Sequence, residues 1–217
     1  MKSLSNQQIA AILGEYSVAA VHEDALLIAS IQSYVSLLSQ WNQSISLTTV
    51  ADPEEIVRFH FGESLFAASK VPITNGRLAD VGTGAGFPGL PLKMLIPSVD
   101  LLLIESNVKK AAFLAEVIRR LGLQGVQVFR GRMEEFPGDS HLASASPFDF
   151  ITARAFGQFD ALLSWSAAHL AAAGKLILWL GSDDVVSISQ NSAWVWAAPQ
   201  QIPGSRQRFI LSGSVRR

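Results

Sequence analysis

Cysteine is absent from the 217 residues. Disulfides, thiolate metal sites and cysteine nucleophiles are thereby excluded. Charge is scarce: Asp, Glu, Lys and Arg make up 16% of the chain, and a net charge of −1 announces no global attraction to a polyanion. The histidines His22, His60, His141 and His169 show no metal-ligand spacing, so no metal is expected. No apolar run reaches the length of a membrane span. The opening MKSLSNQQIA lacks the basic start and apolar stretch of a secretion signal. The expectation is a cytoplasmic protein without a membrane partner. Apolar residues, in contrast, reach 49%, enough for a compact globule with one sizeable core.

Charge is also uneven. Residues 1–76 hold 3 basic residues against 7 acids, and the remainder holds 14 basic against 11 acidic ones. Arginines cluster at 119–120, 130–132 and 206–217. This permits a polyanion along one face of the second part without requiring it.

The first part reads as helices. Ser5–Leu13 is a short amphipathic piece. From Glu23 to about Asn42, the residues Leu27, Ile31, Tyr34, Val35, Leu38 and Trp41 recur at helical steps. The polar, β-branched run Asn42–Thr49 ends that helix. Asp52-Pro53-Glu54-Glu55 starts another, with an N-cap acid, proline in the first turn and carboxylates behind it, and Ile56 and Phe59 should face inward. Asn75-Gly76 marks a joint, dividing an N-terminal helical extension (1–76) from a second domain (77–217). There, strands alternate with helices, the pattern of a parallel sheet covered on both faces. The expected strands are Leu78–Val81, Asp100–Glu105, Val126–Arg130, Phe148–Arg154 and Lys175–Leu180, with a final pair at Trp194–Ala198 and Gln207–Leu211. Helices are expected over Leu90–Leu95, Val108–Leu121 (closed by Gly122) and Phe159–Ala172 (stopped by Gly174), and a loop over 137–147.

The stretch Leu78–Leu92 organises the second part. An apolar strand ends in Asp80, the glycines Gly82, Gly84 and Gly86 follow, and a helix begins near Gly89. Bare backbone and helix N–H groups then face a nucleotide crevice. A dinucleotide fingerprint starting at Gly82 would need glycine where Phe87 stands; the register Gly84, Gly86, Gly89 satisfies it but leaves Asp80 unexplained. The spacing D-x-G-x-G-x-G suits S-adenosylmethionine (SAM) better. Its ammonium and sulfonium are cations that welcome a carboxylate.

Further candidates sit at the ends of the other strands. Glu105, about 20 residues past the glycines, is placed to accept from two ribose hydroxyls. Met133 can cover an adenine face while Glu134 reads its edge. Arg154, among apolar neighbours, should meet an anion: the cofactor carboxylate, an RNA phosphate, or a structural partner such as Asp149 or Asp160. His60 could touch a phosphate or pair with Glu63 one helical turn on. Lys109, Lys110, Arg130 and Arg132 are basic candidates for contact with a polyanion. Trp194 and Trp196 alternate as strand residues and read as packing.

These pieces resemble the bacterial small-subunit ribosomal RNA guanine-N7 methyltransferase family (RsmG, formerly glucose-inhibited division protein B). The resemblance rests on Trp41-Asn42 with Ile45, Leu47 and Thr48, on Asp52–Glu55, on His60 with Glu63, Ser64 and Leu65, on Asp80–Leu92, on Arg132–Phe136 and on Thr152–Phe156. It covers roughly residues 30–180. It implies a Rossmann-like class I SAM-dependent methyltransferase: an α/β fold with a seven-stranded, mostly parallel sheet, helices on both faces and an N-terminal helical extension. It implies SAM as cofactor, with contacts at Gly82, Phe87, Met133, Glu134 and Arg154. The implied substrate is N7 of a guanine in 16S ribosomal RNA, naked or in the small ribosomal subunit particle, and the enzyme is expected to be a monomer. N7 carries a lone pair and no proton, so no general base is required and Arg154 serves at most to orient. The chain departs from the family at Glu63, where aspartate is usual, at Leu180, where lysine is common, and in a short segment after Asp184. A SAM-dependent enzyme for a small molecule or protein, an inactive ribosome-associated module and an NAD-dependent oxidoreductase remain the alternatives.

Overall fold

The computed structural model describes residues 4–16, 24–136 and 147–217. Most of the expected loop at 137–147, and Glu23, lie outside them. The N-terminal part contains α1 (Asn6–Gly14), α2 (Ala25–Asn42), α3 (Pro53–Ile56) and α4 (Glu63–Lys70), with π-helical turns at Val57–Gly62 joining the last two. Side chains start these helices: Asp24 accepts from the Leu27 amide, and Asp52 accepts from the Glu54 and Glu55 amides. Such caps satisfy donors that have no intrahelical partner. The α2 stripe Leu27, Ile28, Ile31, Tyr34, Val35 and Leu38 is buried.

The sheet is formed by β1 (Gly76–Val81), β2 (Val99–Glu105), β3 (Val126–Arg130), β4 (Phe148–Arg154), β5 (Leu170–Gly181), β6 (Trp194–Trp196), β7 (Gln200–Gln201) and β8 (Arg208–Val215). Their order is β3-β2-β1-β4-β5-β8-β6, with β7 pairing only to β8. The first five in that order run parallel, and β8 joins β5 antiparallel. Seven strands were expected; the described residues form eight, because the stretch before the Pro203-Gly204 turn adds the two-residue β7. Strand order reverses at β1, flanked by β2 and β4, and a crevice opens at the carboxyl ends of these strands.

Alternation along the strands sends residues to two cores. Leu78, Leu101, Leu103, Ile177 and Trp179 face the N-terminal helices together with α5 (Gly89–Leu95) and α6 (Val108–Leu121). Ala79, Leu102, Ile104, Leu176 and Leu178 face α7 (Phe159–His169) and α8 (Ser182–Ser189). The helix expected through Ala172 ends at His169, and the strand begins at Leu170 with a register shift against Phe148 and Phe150. The alanine run 171–173 lies in this irregular stretch of the strand, between the paired residues Leu170 and Lys175, so tertiary pairing at its two ends overrides helix propensity. No helix among the described residues is long and apolar enough to cross a membrane.

Candidate active site

The glycine loop is held from behind. Asp80 is fully buried, and its carboxylate accepts from the Thr83 hydroxyl at 2.5 Å, the Thr152 hydroxyl at 2.8 Å and the Gly89 amide at 3.0 Å. Burial pushes its carboxyl up to about 6 against these bonds. Asp80 is thus a tie between β1, β4 and the start of α5, set behind the loop rather than in the crevice. Gly86, at φ 91°, approaches the Tyr34 hydroxyl and Leu90 so closely that a Cβ would collide with both. Tyr34 donates to the Ala85 carbonyl at 2.5 Å, so the loop is also pinned to α2. Gly84 donates its amide to the Glu105 carboxylate at 2.9 Å.

In front of the loop lies a cavity of about 400 Å³. Gly82, Glu105, Arg132, Met133 and Glu134 line it on one side and Ala155–Gln158 on the other. The second Glu105 oxygen accepts from the Asn107 amide at 2.7 Å. Each carboxylate oxygen keeps a free lone pair, so the pair can receive two vicinal hydroxyls. Met133 is buried and offers an apolar wall, while Glu134 is exposed at the rim. A ribose acceptor, an apolar flank and a backbone left open by glycine together fit a nucleoside.

A second cavity, of about 860 Å³, adjoins the first, and Ala155, Phe156 and Gly157 line both. His60, Glu63, Arg154, Phe59, Phe159 and Arg208 also contribute to its wall. Ala155, with φ 53°, holds a left-handed backbone that non-glycine residues adopt at a cost. This turn carries the chain between the two cavities immediately after Arg154.

Arg154 has neither of the carboxylate partners considered from sequence; Asp149 instead accepts from the Arg77 amide. The guanidinium donates to the Phe59 carbonyl at 3.0 Å and to His60 Nδ1 at 3.1 Å, and lies 5.4 Å from the Phe87 ring centre. Among the described residues no carboxylate lies within ion-pair distance of it. Burial lowers its affinity for the proton, and the charges of Glu63 and Asp80 oppose that. It remains a cation. Two of its five donors have protein acceptors, leaving others for an anion or a carbonyl.

His60 does not pair with Glu63. Since Nδ1 accepts from Arg154, Nε2 carries the proton and donates to Thr48 Oγ1 at 2.8 Å. Burial and the neighbouring guanidinium hold its pKa down to about 3, so the ring is neutral. Asn42 makes this possible: its side chain accepts from the Leu47 and Thr48 amides and donates to the Thr48 carbonyl, folding the run after α2 so that Thr48 meets His60. Phe87 is buried between the Tyr34 ring (5.3 Å) and the His60 ring (4.7 Å). Its side chain therefore supports the site from inside the core and does not line the smaller cavity.

Of the predicted cofactor residues, Gly82, Glu105, Met133 and Glu134 meet in the smaller cavity, and Arg154 lines the larger one. Lys109, Lys110, Arg130 and Arg132 follow or end β2 and β3, and Arg132 lines the smaller cavity, while the other three line neither of the two cavities described above. Sequence reasoning missed Thr48, Arg208 and the cavity role of Glu63. Arg208 on β8 pairs opposite Gly181, so it brings a cation beside Leu180 on the wall of the larger cavity.

A family model described as "GidB: rRNA small subunit methyltransferase G" matches residues 27–202. The chain belongs to the rRNA small subunit methyltransferase G family. A relative of that name from Desulfitobacterium hafniense is 41% identical over 69% of this chain, which spans 61% of the relative's length. Another from Xylella fastidiosa is 35% identical over 91% of this chain and 92% of its own. Among solved structures, a putative O-methyltransferase from Klebsiella pneumoniae superposes with a TM-score of 0.63 at 15% identity, covering 98% of this chain and 99% of its own. A ribosomal protein L11 methylase from Lactobacillus delbrueckii gives 0.61 at 14% identity, over 74% and 80%. The shared fold is that of class I SAM-dependent methyltransferases, and SAM is the cofactor of the family.

Proposed function

We propose that this chain transfers a methyl group from SAM to N7 of a guanine in 16S ribosomal RNA. It acts as a cytoplasmic monomer on the small-subunit particle or its RNA, with residues 1–76 as an extension packed on the catalytic domain 77–217. The observation that carries the reading is the pair of cavities meeting at Ala155–Gly157 directly after Arg154. SAM supplies a methyl group on a sulfonium, electrophilic enough for attack by a ring nitrogen. Glu105 would hold the ribose hydroxyls and Met133 would cover the adenine. Guanine N7 attacks the methyl carbon with its own lone pair while the carbon–sulfur bond breaks and leaves a neutral thioether, so the protein need only align the groups and exclude water. The Ala155–Gly157 turn, with the Phe156 ring, walls the meeting point. Arg154, fixed by Phe59 and His60, keeps spare donors for the cofactor carboxylate or the substrate. Lys109, Lys110, Arg130 and Arg132 offer a basic margin to the flanking RNA.

The test is transfer of labelled methyl from SAM to RNA, protein and metabolite pools from undermethylated cells. Label in 16S ribosomal RNA supports the reading. Label confined to protein or metabolites, or no transfer despite SAM binding, would replace it with another substrate class or an inactive module.

A further inference from the structure

Glu63 stands apart in the larger cavity. Only 4% of it is exposed, yet its carboxylate has no aligned hydrogen bond among the described residues. The closest charge is Arg208, whose Nε lies 2.9 Å from Oε1 without the direction of a hydrogen bond. The backbone around it is firmly placed: Trp179 donates its indole N–H to the Glu63 carbonyl at 2.8 Å. Burial favours its neutral form, and the Arg208 and Arg154 cations favour ionisation. The carboxylate is thus ion-paired with Arg208 but has no aligned hydrogen bond at Oε1, and a buried acceptor in that state keeps capacity for a ligand's donors.

The cavity tells what kind of ligand. Phe59, Phe156 and Phe159 contribute aromatic side chains to its lining, and Arg208 lies over the Phe59 ring, 4.7 Å from its centre. Enzymes that act on one base commonly hold it between aromatic groups and read its Watson–Crick edge. A carboxylate only accepts, so it selects an edge with adjacent donors. Guanine offers N1–H and the exocyclic amine side by side; adenine presents an acceptor at N1. The arrangement also fixes direction. With N1 and the amine on Glu63, N7 lies on the opposite side of the base, free of any donor bound for that edge. O6, next to N1, falls beside the Arg208 guanidinium.

We infer that Glu63, seconded by Arg208, reads the Watson–Crick edge of the target guanine and so turns N7 toward the junction of the two cavities. The inference rests on the guanine-N7 reading above and adds the residue that makes the choice of base. The Glu63–Arg208 pair then serves recognition, and the missing hydrogen bonds of the free protein are those the base supplies.

The test compares 16S ribosomal RNA carrying guanosine at the mapped target with RNA carrying inosine there, which keeps N7, O6 and N1–H but lacks the amine. Wild-type protein should lose about 10- to 100-fold in kcat/KM on inosine. Glu63→Ala should be slow on both RNAs with little discrimination between them, while its SAM affinity by calorimetry stays at the wild-type value. Equal wild-type rates on guanosine and inosine would overturn the inference and leave the methyltransferase reading standing. Full discrimination retained in Glu63→Ala would do the same. No wild-type transfer to either RNA would remove both. Because the wild-type comparison needs no variant, a Glu63→Ala protein that failed to fold would not shelter the inference.

Discussion

His60 offers a prediction whose size can be worked out. The ring is neutral because it accepts from Arg154 and is buried, with a pKa lowered from 6.5 to about 3. In the unfolded chain it titrates near 6.5, so the unfolded state takes up a proton first on acidification. Stability from this group is therefore complete above 6.5 and lost as pH falls toward 3. Each pH unit in that window is worth about 1.4 kcal/mol, so at about pH 4.5 the loss is roughly 2.7 kcal/mol. In His60→Gln, the amide oxygen can accept from Arg154 and the amide NH2 can donate to Thr48 without titrating. Losing the stack on Phe87 should cost the variant about 1 kcal/mol at neutral pH. The two stability curves should then cross, the variant being more stable by about 2 kcal/mol near pH 4.5. Asp80 works in the opposite sense. Its raised pKa of about 6 means that folding favours its protonated form, so its contribution increases on acidification from 6 toward 3.8. It is present in both proteins and cancels in the comparison. Urea unfolding followed by tryptophan fluorescence, at neutral pH and near pH 4.5, measures the difference. A wild-type-to-variant gap that does not change with pH would refute the neutral, buried histidine.

Three further outcomes are expected. Glu105→Gln should weaken SAM binding in calorimetry by about tenfold or more, since charge-assisted bonds to the ribose are lost; an unchanged Kd would remove Glu105 from the cofactor site. Gly86→Ala should destabilise the fold by roughly 2–5 kcal/mol, from the positive φ and the collision with Tyr34 and Leu90, and a thermal midpoint near wild type would contradict that. Arg154→Lys should remain folded yet lose at least an order of magnitude in methyl transfer, because an ammonium cannot bond Phe59 and His60 and keep a planar fork for the ligand; full activity would show that the fork is not needed.

The strand ends and the glycine loop were legible because their signals are local. An apolar run followed by an acid or glycine marked β1 and β2, and α6 runs over Val108–Leu121 and closes at Gly122 as its pattern announces. Misreadings arose where a distant partner decides. The run at Ala171–Ala173 has helix propensity, and the pairing of Leu170 and Lys175 on either side of it with β4 draws it into the strand. Phe59 was expected in the core on a regular helical step; the π-helical turns place Val57 and Phe61 inside and leave Phe59 half-buried at the larger cavity. The helix α8, begun by Ser182-Asp183-Asp184, was not foreseen. In the site, Gly82, Glu105 and Met133 follow from strand position, but the tie from Arg208 to Glu63 spans the fold, and that from Thr48 to His60 depends on the turn that Asn42 folds. Spacing could not reveal them. Asp80 and Phe87 were noticed for the right motif, although their side chains support the loop and the Arg154 cluster from behind.

The central claim is methyl transfer to a ring nitrogen of guanine at the junction of the two cavities. Its most direct measurement locates the label in 16S ribosomal RNA after reaction with labelled SAM, by digestion to nucleosides and by chain cleavage after reduction, which reports N7-methylguanine. The account predicts label in 7-methylguanosine at a single guanine. Label on an exocyclic amine, on a ribose hydroxyl or on a different base would contradict it.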